Sequence, residues 1–250
     1  MCLILLAVDQ HPDYPVVLAA NRDEFHARPS LPAGRWPDIP AVFGGRDLEK
    51  GGSWLAFSPG GRFACVTNFR EPPPLRKPQL SRGLLVRDFV RGQERPLECL
   101  ARMEEEGHRY RGFSLLVGQG REIGYASNRG PRMMLGPGLY GVANALLDTP
   151  WPKVVHGKQQ LALLLEKRCL DPAKIFDLLM DRSVRGKASP QAGFPGSANE
   201  SQAPIFVRSP DFGTRCSSLL LIDQADRTTF IERTFFEGGE DWSEIRLDIP

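Results

Sequence analysis

Residues 2–8, Cys-Leu-Ile-Leu-Leu-Ala-Val, carry no charge. A strand with one wet face alternates apolar and polar residues, whereas an unbroken apolar run of this length suits a strand covered on both faces. The fold must therefore supply a packing layer on each side of the sheet to which this strand belongs. His11-Pro12-Asp13 turns the chain into a second short strand, Pro15 to Ala20, so that sheet begins as a hairpin.

The remaining elements come in groups. Between Arg28 and Lys50, prolines 29, 32, 37 and 40 and the pair Gly44-Gly45 predict a loop without long regular structure, with Trp36, Val42 and Phe43 packed inward. Gly52 to Ser58 and Gly61 to Thr67 read as strands joined at Pro59-Gly60, with Asn68 at the end of the second. Pro72-Pro73-Pro74 reads as an extended surface connection. A helix then starts at Ser81 as N-cap and turns Leu84, Leu85, Phe89 and Val90 inward; a second runs from Pro96 to about Glu106. Phe113 to Gly118, Glu122 to Ser127 and Leu139 to Ala143 are three further strands. Two more helices follow, Pro152 to Arg168, capped by Asp148 or Thr149, and one beginning near Asp171. Residues 183 to 203 read as a long loop, and Gly213 to Asp223 with Arg227 to Phe236 form a closing strand pair.

Strands, two helices, strands, two helices, strands is not an alternating βαβ order. A doubly wound nucleotide fold is therefore disfavoured, and no phosphate loop or internal repeat is visible. The grouping fits an α+β protein, two antiparallel sheets layered between helices, as a single domain over 1–250.

Composition narrows the partners. With 41% hydrophobic and 25% charged residues and a formal net charge of +2, the chain is an ordinary globular one, and its basic residues are scattered rather than gathered into a stripe for nucleic acid. The five cysteines, at 2, 65, 99, 169 and 216, are odd in number and hold no CxxC pair. They form neither a zinc pattern nor a disulfide framework, and they suit a reducing compartment, most simply the cytoplasm. No apolar run reaches the ~18 residues of a membrane-spanning helix, and no metal or cofactor is expected.

Cys2 stands where removal of Met1 exposes a thiol and an α-amine on one residue. Such a cysteine carries its own base, since an α-amine with a reference pKa of about 8 can take the thiol proton without help from a histidine. The competing reading is a small core residue of the first strand. Asn21-Arg22-Asp23-Glu24, after the second strand, offers an amide, a guanidinium and two carboxylates, able to hold a substrate anion or orient an amine, or else to form a salt-bridged turn. Asn68 and Asn144 each follow a strand and either can donate to an oxyanion, though asparagine there also serves as a turn former. Arg215, among small polar residues before the last hairpin, is an anion clamp or a surface arginine.

Met-Cys-Leu-Ile-Leu-Leu-Ala at the start, Ala20-Asn-Arg-Asp-Glu-Phe25 with Arg28-Pro29, Gly44-Gly45-Arg46-Asp47, Gly51-Gly52-Ser53-Trp54-Leu55, Val66-Thr67-Asn68-Phe69-Arg70, Ser81-Arg82-Gly83, the run from Asn144 to Lys153, and Gly213-Thr214-Arg215 resemble, in order, the motifs of the NRDE family. That family includes the transport and Golgi organisation protein 2 homologues. More distantly the chain resembles the cysteine N-terminal nucleophile hydrolases, such as penicillin V acylases and bile salt hydrolases, and this implies a four-layer αββα fold. By that resemblance Cys2 is the nucleophile, Arg22 with Asp23 or Glu24 positions substrate and amine, Asn144 serves the oxyanion with Asn68 as second candidate, and Arg215 is the late arginine. Asn21, Glu24 and Asn68 are expected to line a substrate site. Those enzymes space the pair as Arg-Asn-x-Asp where this chain has Asn-Arg-Asp-Glu. The expectation is an amidohydrolase acting on a non-peptide C–N bond of a small molecule. The alternative is a carrier of haem or an acyl lipid, since relatives are associated with secretion, lipid metabolism and haem mobilisation.

Overall fold

The computed structural model describes residues 2–71, 80–167, 169–183, 203–236 and 241–250. In chain order the strands are β1 (Cys2–Val8), β2 (Val16–Phe25), β3 (Ser30–Trp36), β4 (Ile39–Asp47), β5 (Leu55–Ser58) and β6 (Arg62–Asn68), followed by helices α1 (Gly83–Arg91) and α2 (Pro96–Glu106). Then come β7 (Phe113–Gln119), β8 (Glu122–Ser127), β9 (Arg132–Leu135), β10 (Gly138–Val142), α3 (Pro152–Leu165), α4 (Pro172–Leu179), β11 (Phe212–Ile222), β12 (Thr228–Phe235) and β13 (Trp242–Ile249). One antiparallel sheet has the order β10-β1-β2-β11-β12-β13 and the other runs β3-β4-β5-β6-β7-β8-β9.

Three apolar layers hold the sandwich together. Ile4, Leu6, Leu18, Phe57, Phe63, Leu220 and Phe230 fill the space between the sheets, where Phe57 and Phe230 meet with ring centroids 4.8 Å apart. Leu3, Leu5, Val17, Ala19 and Leu219, on the other face of the first sheet, pack under α3 and α4. Trp36, Val66, Leu115 and Val117 pack under α1 and α2. Leu3, Leu5 and Leu6 are fully buried, so the first strand is covered on both faces. Burying each such side chain contributes about 1.5–3 kcal/mol.

Several elements depart from the sequence reading. The stretch 28–50 is not a loop but the β3–β4 hairpin. Its prolines are tolerated because β3 is an edge strand whose register slips between Leu31 and Gly34, around Pro32, while Pro40 lies outside the two-residue pairing of β4 with β5. Strand β5 starts at Leu55 rather than Gly52. β2 does not stop at Ala20 but runs on to Phe25, so the charged tetrad is strand rather than turn. β9 and β13, both edge strands, went unread. β9 has four residues, and charged residues in β13 obscure the inward Ile245, Leu247 and Ile249. Arg82, not Ser81, precedes α1, and Trp151 precedes α3, neither with a side-chain cap. Asp148 instead accepts from the Gly141 amide and Lys158, and the Thr149 hydroxyl donates to Leu146 O. Asp171 does cap α4, through the Ala173 amide. The expected Pro72–Pro74 connection lies outside the described residues, as does most of the expected loop at 183–203.

Candidate active site

In β1 and β2 the even-numbered residues Ile4, Leu6, Leu18 and Ala20 face the second sheet. The same alternation, period two along a strand, carries Cys2, Arg22 and Glu24 to the inter-sheet side at one end of the sandwich. They meet a cavity of about 250 Å³ there, together with Asp23, Arg28, Trp54, Asn68 and Arg82. Of the cysteines, Cys2 alone lines it; Cys65, Cys99 and Cys216 are buried elsewhere and Cys169 is exposed.

Cys2 is held from two directions. Its thiol leans 4.0 Å from the Asp23 carbonyl, and its backbone nitrogen donates to Asn144 Oδ1 at 3.1 Å. That nitrogen becomes the α-amine when Met1 is removed. Burial pushes the Cys2 thiol up from its ordinary value. Asn144 is locked in its turn: its Nδ2 donates to Asn68 O at 2.9 Å, and its carbonyl accepts from the Arg70 amide. The flanking carbonyls are stapled to the second sheet, that of Ala143 by Thr67 Oγ1 at 2.6 Å and that of Ala145 by Ser114 Oγ at 2.8 Å. The segment after β10 thus crosses between the sheets and delivers an asparagine amide to the first residue of β1.

Three arginines line the cavity. The Arg22 guanidinium lies 4.9 Å from the Trp54 ring centroid, 3.3 Å from Ser30 Oγ and 3.9 Å from Glu24. Arg28 bridges Asp47 at 2.6 Å, Glu49 at 3.0 Å and Glu24 at 3.7 Å. Arg82 donates to the Gly112 carbonyl at 3.0 Å, where burial draws its guanidinium below the usual value. Two glycines make this packing possible. A Cβ on Gly45 would sit 1.9 Å from the Trp54 ring, and one on Gly52 would sit 2.3 Å from the Gly83 carbonyl carbon, beside Arg82.

The Asp23 carboxylate turns to the opposite face, toward α3, and accepts from Thr214 Oγ1 at 2.7 Å. Burial pushes its carboxyl up to about 6 against the pull of Lys153. The folded group thus keeps its proton to higher pH than the unfolded one, with a reference value of 3.8. Stability therefore falls as pH rises from about 4 to about 6, by at most ~1.4 kcal/mol per pH unit from this group. Asp23→Asn removes that titration, so its stability relative to wild type should climb across the same window and level off above it. Urea unfolding at each pH measures this; a difference constant from pH 4 to 7 would refute it.

Three sequence candidates do not line the cavity: Asn144, which holds the Cys2 nitrogen, Asn21 and Arg215. Asn21 faces the helices, donating from Nδ2 to Leu179 O and Ile205 O and accepting from Ser217 at Oδ1. Its amide is spent on tying β2 to the end of α4. Arg215, at a bulge in β11, donates to the carbonyls of Phe25, His26 and Arg28, and so braces the turn that carries Arg28. Arg28, Arg82 and Trp54 line the cavity, and sequence reasoning missed them along with Lys153. All four lie within the motif runs, and that was their only signal. A larger cleft of about 880 Å³ shares Phe25 with this site and is lined also by Phe206, Phe235 and Phe236.

Two antiparallel sheets packed face to face, a helix pair on each outer face and a cysteine opening a central strand define the N-terminal nucleophile hydrolase fold. The Caenorhabditis elegans N-acylethanolamine-hydrolyzing acid amidase ortholog is similar in structure, with a TM-score of 0.50 at 10% identity, over 88% of this chain and 92% of that one. The chain itself belongs to the Transport and Golgi organisation 2 family, whose model matches residues 1–237. It is 36% identical to the Bos taurus Transport and Golgi organization protein 2 homolog over 94% of this chain and 93% of that protein. The Homo sapiens homolog is 35% identical over 95% and 94%.

Proposed function

We propose that the chain is a cysteine N-terminal nucleophile amidohydrolase that cleaves a C–N amide bond of a small molecule. The observation that carries this reading is the hydrogen bond from the nitrogen of Cys2, which lines a cavity of three arginines and three acidic residues, to Asn144 Oδ1. With Met1 removed, the α-amine takes the thiol proton and the sulfur attacks the acyl carbon. The remaining Nδ2 hydrogen of Asn144 and the guanidinium of Arg22 are the donors at hand for the oxyanion. The amine product leaves with the proton from the α-ammonium, giving a thioester and a neutral α-amine. Water then attacks the thioester with that amine as base, releasing the acid and restoring the thiol.

A haem or acyl-lipid carrier draws no support from this cavity. Its volume of about 250 Å³ falls below the ~300–1,000 Å³ of drug-sized ligand sites, its wall is largely charged and no histidine lines it. The test compares processed protein with a form retaining Met1, each incubated with a panel of short N-acyl amides while amine release is followed. Only processed protein should release amine. Equal release from both forms, or none from either, would sink the reading.

A further inference from the structure

Lys153 is the second residue of α3 and is only 3% exposed. Its position is costly on three counts. An ammonium removed from water loses several kcal/mol of hydration, a cation in the first turn opposes the helix dipole, and among the described residues Nζ has no hydrogen-bond partner. The other titratable groups on α3 and α4 have partners of their own. His156 meets Asp181, Lys158 meets Asp148, and Lys174 meets Asp177. Strand β10 brings only Tyr140, whose hydroxyl donates to Gly136 O. The groups whose charge Lys153 feels are Asp23 on β2 and Cys2 on β1. Cys2 and Asp23 are in turn influenced by Arg22, Arg82 and Glu24.

A buried cation that stability alone disfavours, one turn before the Gly157 that packs on Leu5 of β1, calls for a task beneath that strand. We infer that Lys153 is a positioning residue for the N-terminal cysteine, its ammonium balancing Asp23 so that the Cys2 α-amine is a free base, ready to accept the thiol proton, at neutral pH. This rests on the N-terminal nucleophile reading. Without Lys153 more of the Asp23 charge falls on the α-amine, the amine holds its proton to higher pH, and the Lys153 charge no longer assists thiolate formation.

The experiment follows iodoacetamide alkylation of Cys2, read on its peptide by mass spectrometry, from pH 5 to 10 in Met1-processed wild type, Lys153→Met and Lys153→Arg. Losing an opposing charge beside a titrating group moves its titration by about one unit or more. The Lys153→Met midpoint should therefore rise by about that much and the pH 7 rate fall about tenfold, with Lys153→Arg staying near wild type. An unchanged midpoint in folded Lys153→Met overturns the inference. If that variant does not fold, the wild-type α-amine decides: titration below the ordinary value of ~8, despite the neighbouring carboxylate, is expected, and a value at or above it overturns. A shifted midpoint in a protein that cleaves no amide leaves this inference standing and sinks the hydrolase; cleavage without a shift does the reverse.

Discussion

Cys2→Ala should fold as wild type and lose amide cleavage. The side chain sits half-buried at the first position of β1, and among the described residues its thiol makes one hydrogen bond, a weak one to the Asp23 carbonyl, so truncation should cost no more than about 1 kcal/mol. Every chemical step proposed for the site runs through the sulfur. No other cysteine can substitute, since burial pushes Cys99 up to about 12, Cys65 and Cys216 are buried away from the cavity, and exposed Cys169 is not among its walls. Removing a nucleophile that works as a unit with its base lowers turnover by on the order of a thousandfold or more. Residual activity within tenfold of wild type, in folded protein, would move the chemistry elsewhere.

Gly52→Val should be the most damaging glycine substitution. Its Cβ would lie 2.3 Å from the Gly83 carbonyl carbon and 2.5 Å from its oxygen, and backbone cannot swing aside as a flexible side chain can. The lead-in to β5 and the start of α1 must separate, which strains the Ser53 amide to Gly83 carbonyl bond at 3.1 Å and draws Arg82 from the cavity. Overpacking of this kind costs about 3 kcal/mol or more. Gly34→Ala, with nothing within 4 Å of its added Cβ, should be close to neutral. Denaturant unfolding of the pair measures the contrast, and equal stabilities would refute the Gly52–Gly83 contact as a constraint.

The parts of the fold that could be read from sequence were those with strong periodicity or punctuation. β1, the Pro59-Gly60 hairpin, α2 and the β11–β12 pair follow from apolar patterning and turn residues. The tetrad could not be read as a strand because its charges mimic a turn. Those charges are affordable only because β2 ends at a polar cavity on one face, for Arg22 and Glu24, and a polar pocket on the other, for Asn21 and Asp23. The β3–β4 hairpin was hidden by prolines that an edge strand with a register slip accommodates. Arg82 and Lys153 reach the site from elements distant in sequence and Arg28 from the turn after β2, and single surface-type residues give no local sign of that. Asn144, in contrast, was legible as a strand-end asparagine, and its lock by Asn68, Thr67 and Ser114 explains why it sits there.

The most direct measurement is the mass of the N-terminal peptide after brief exposure of the native, full-length protein to an activated N-acyl amide. The expected result is a peptide beginning at Cys2, carrying one acyl group on sulfur that hydroxylamine removes, and absent from Cys2→Ala. A peptide that still begins at Met1, or an acyl group placed only on another residue, would contradict an N-terminal cysteine nucleophile.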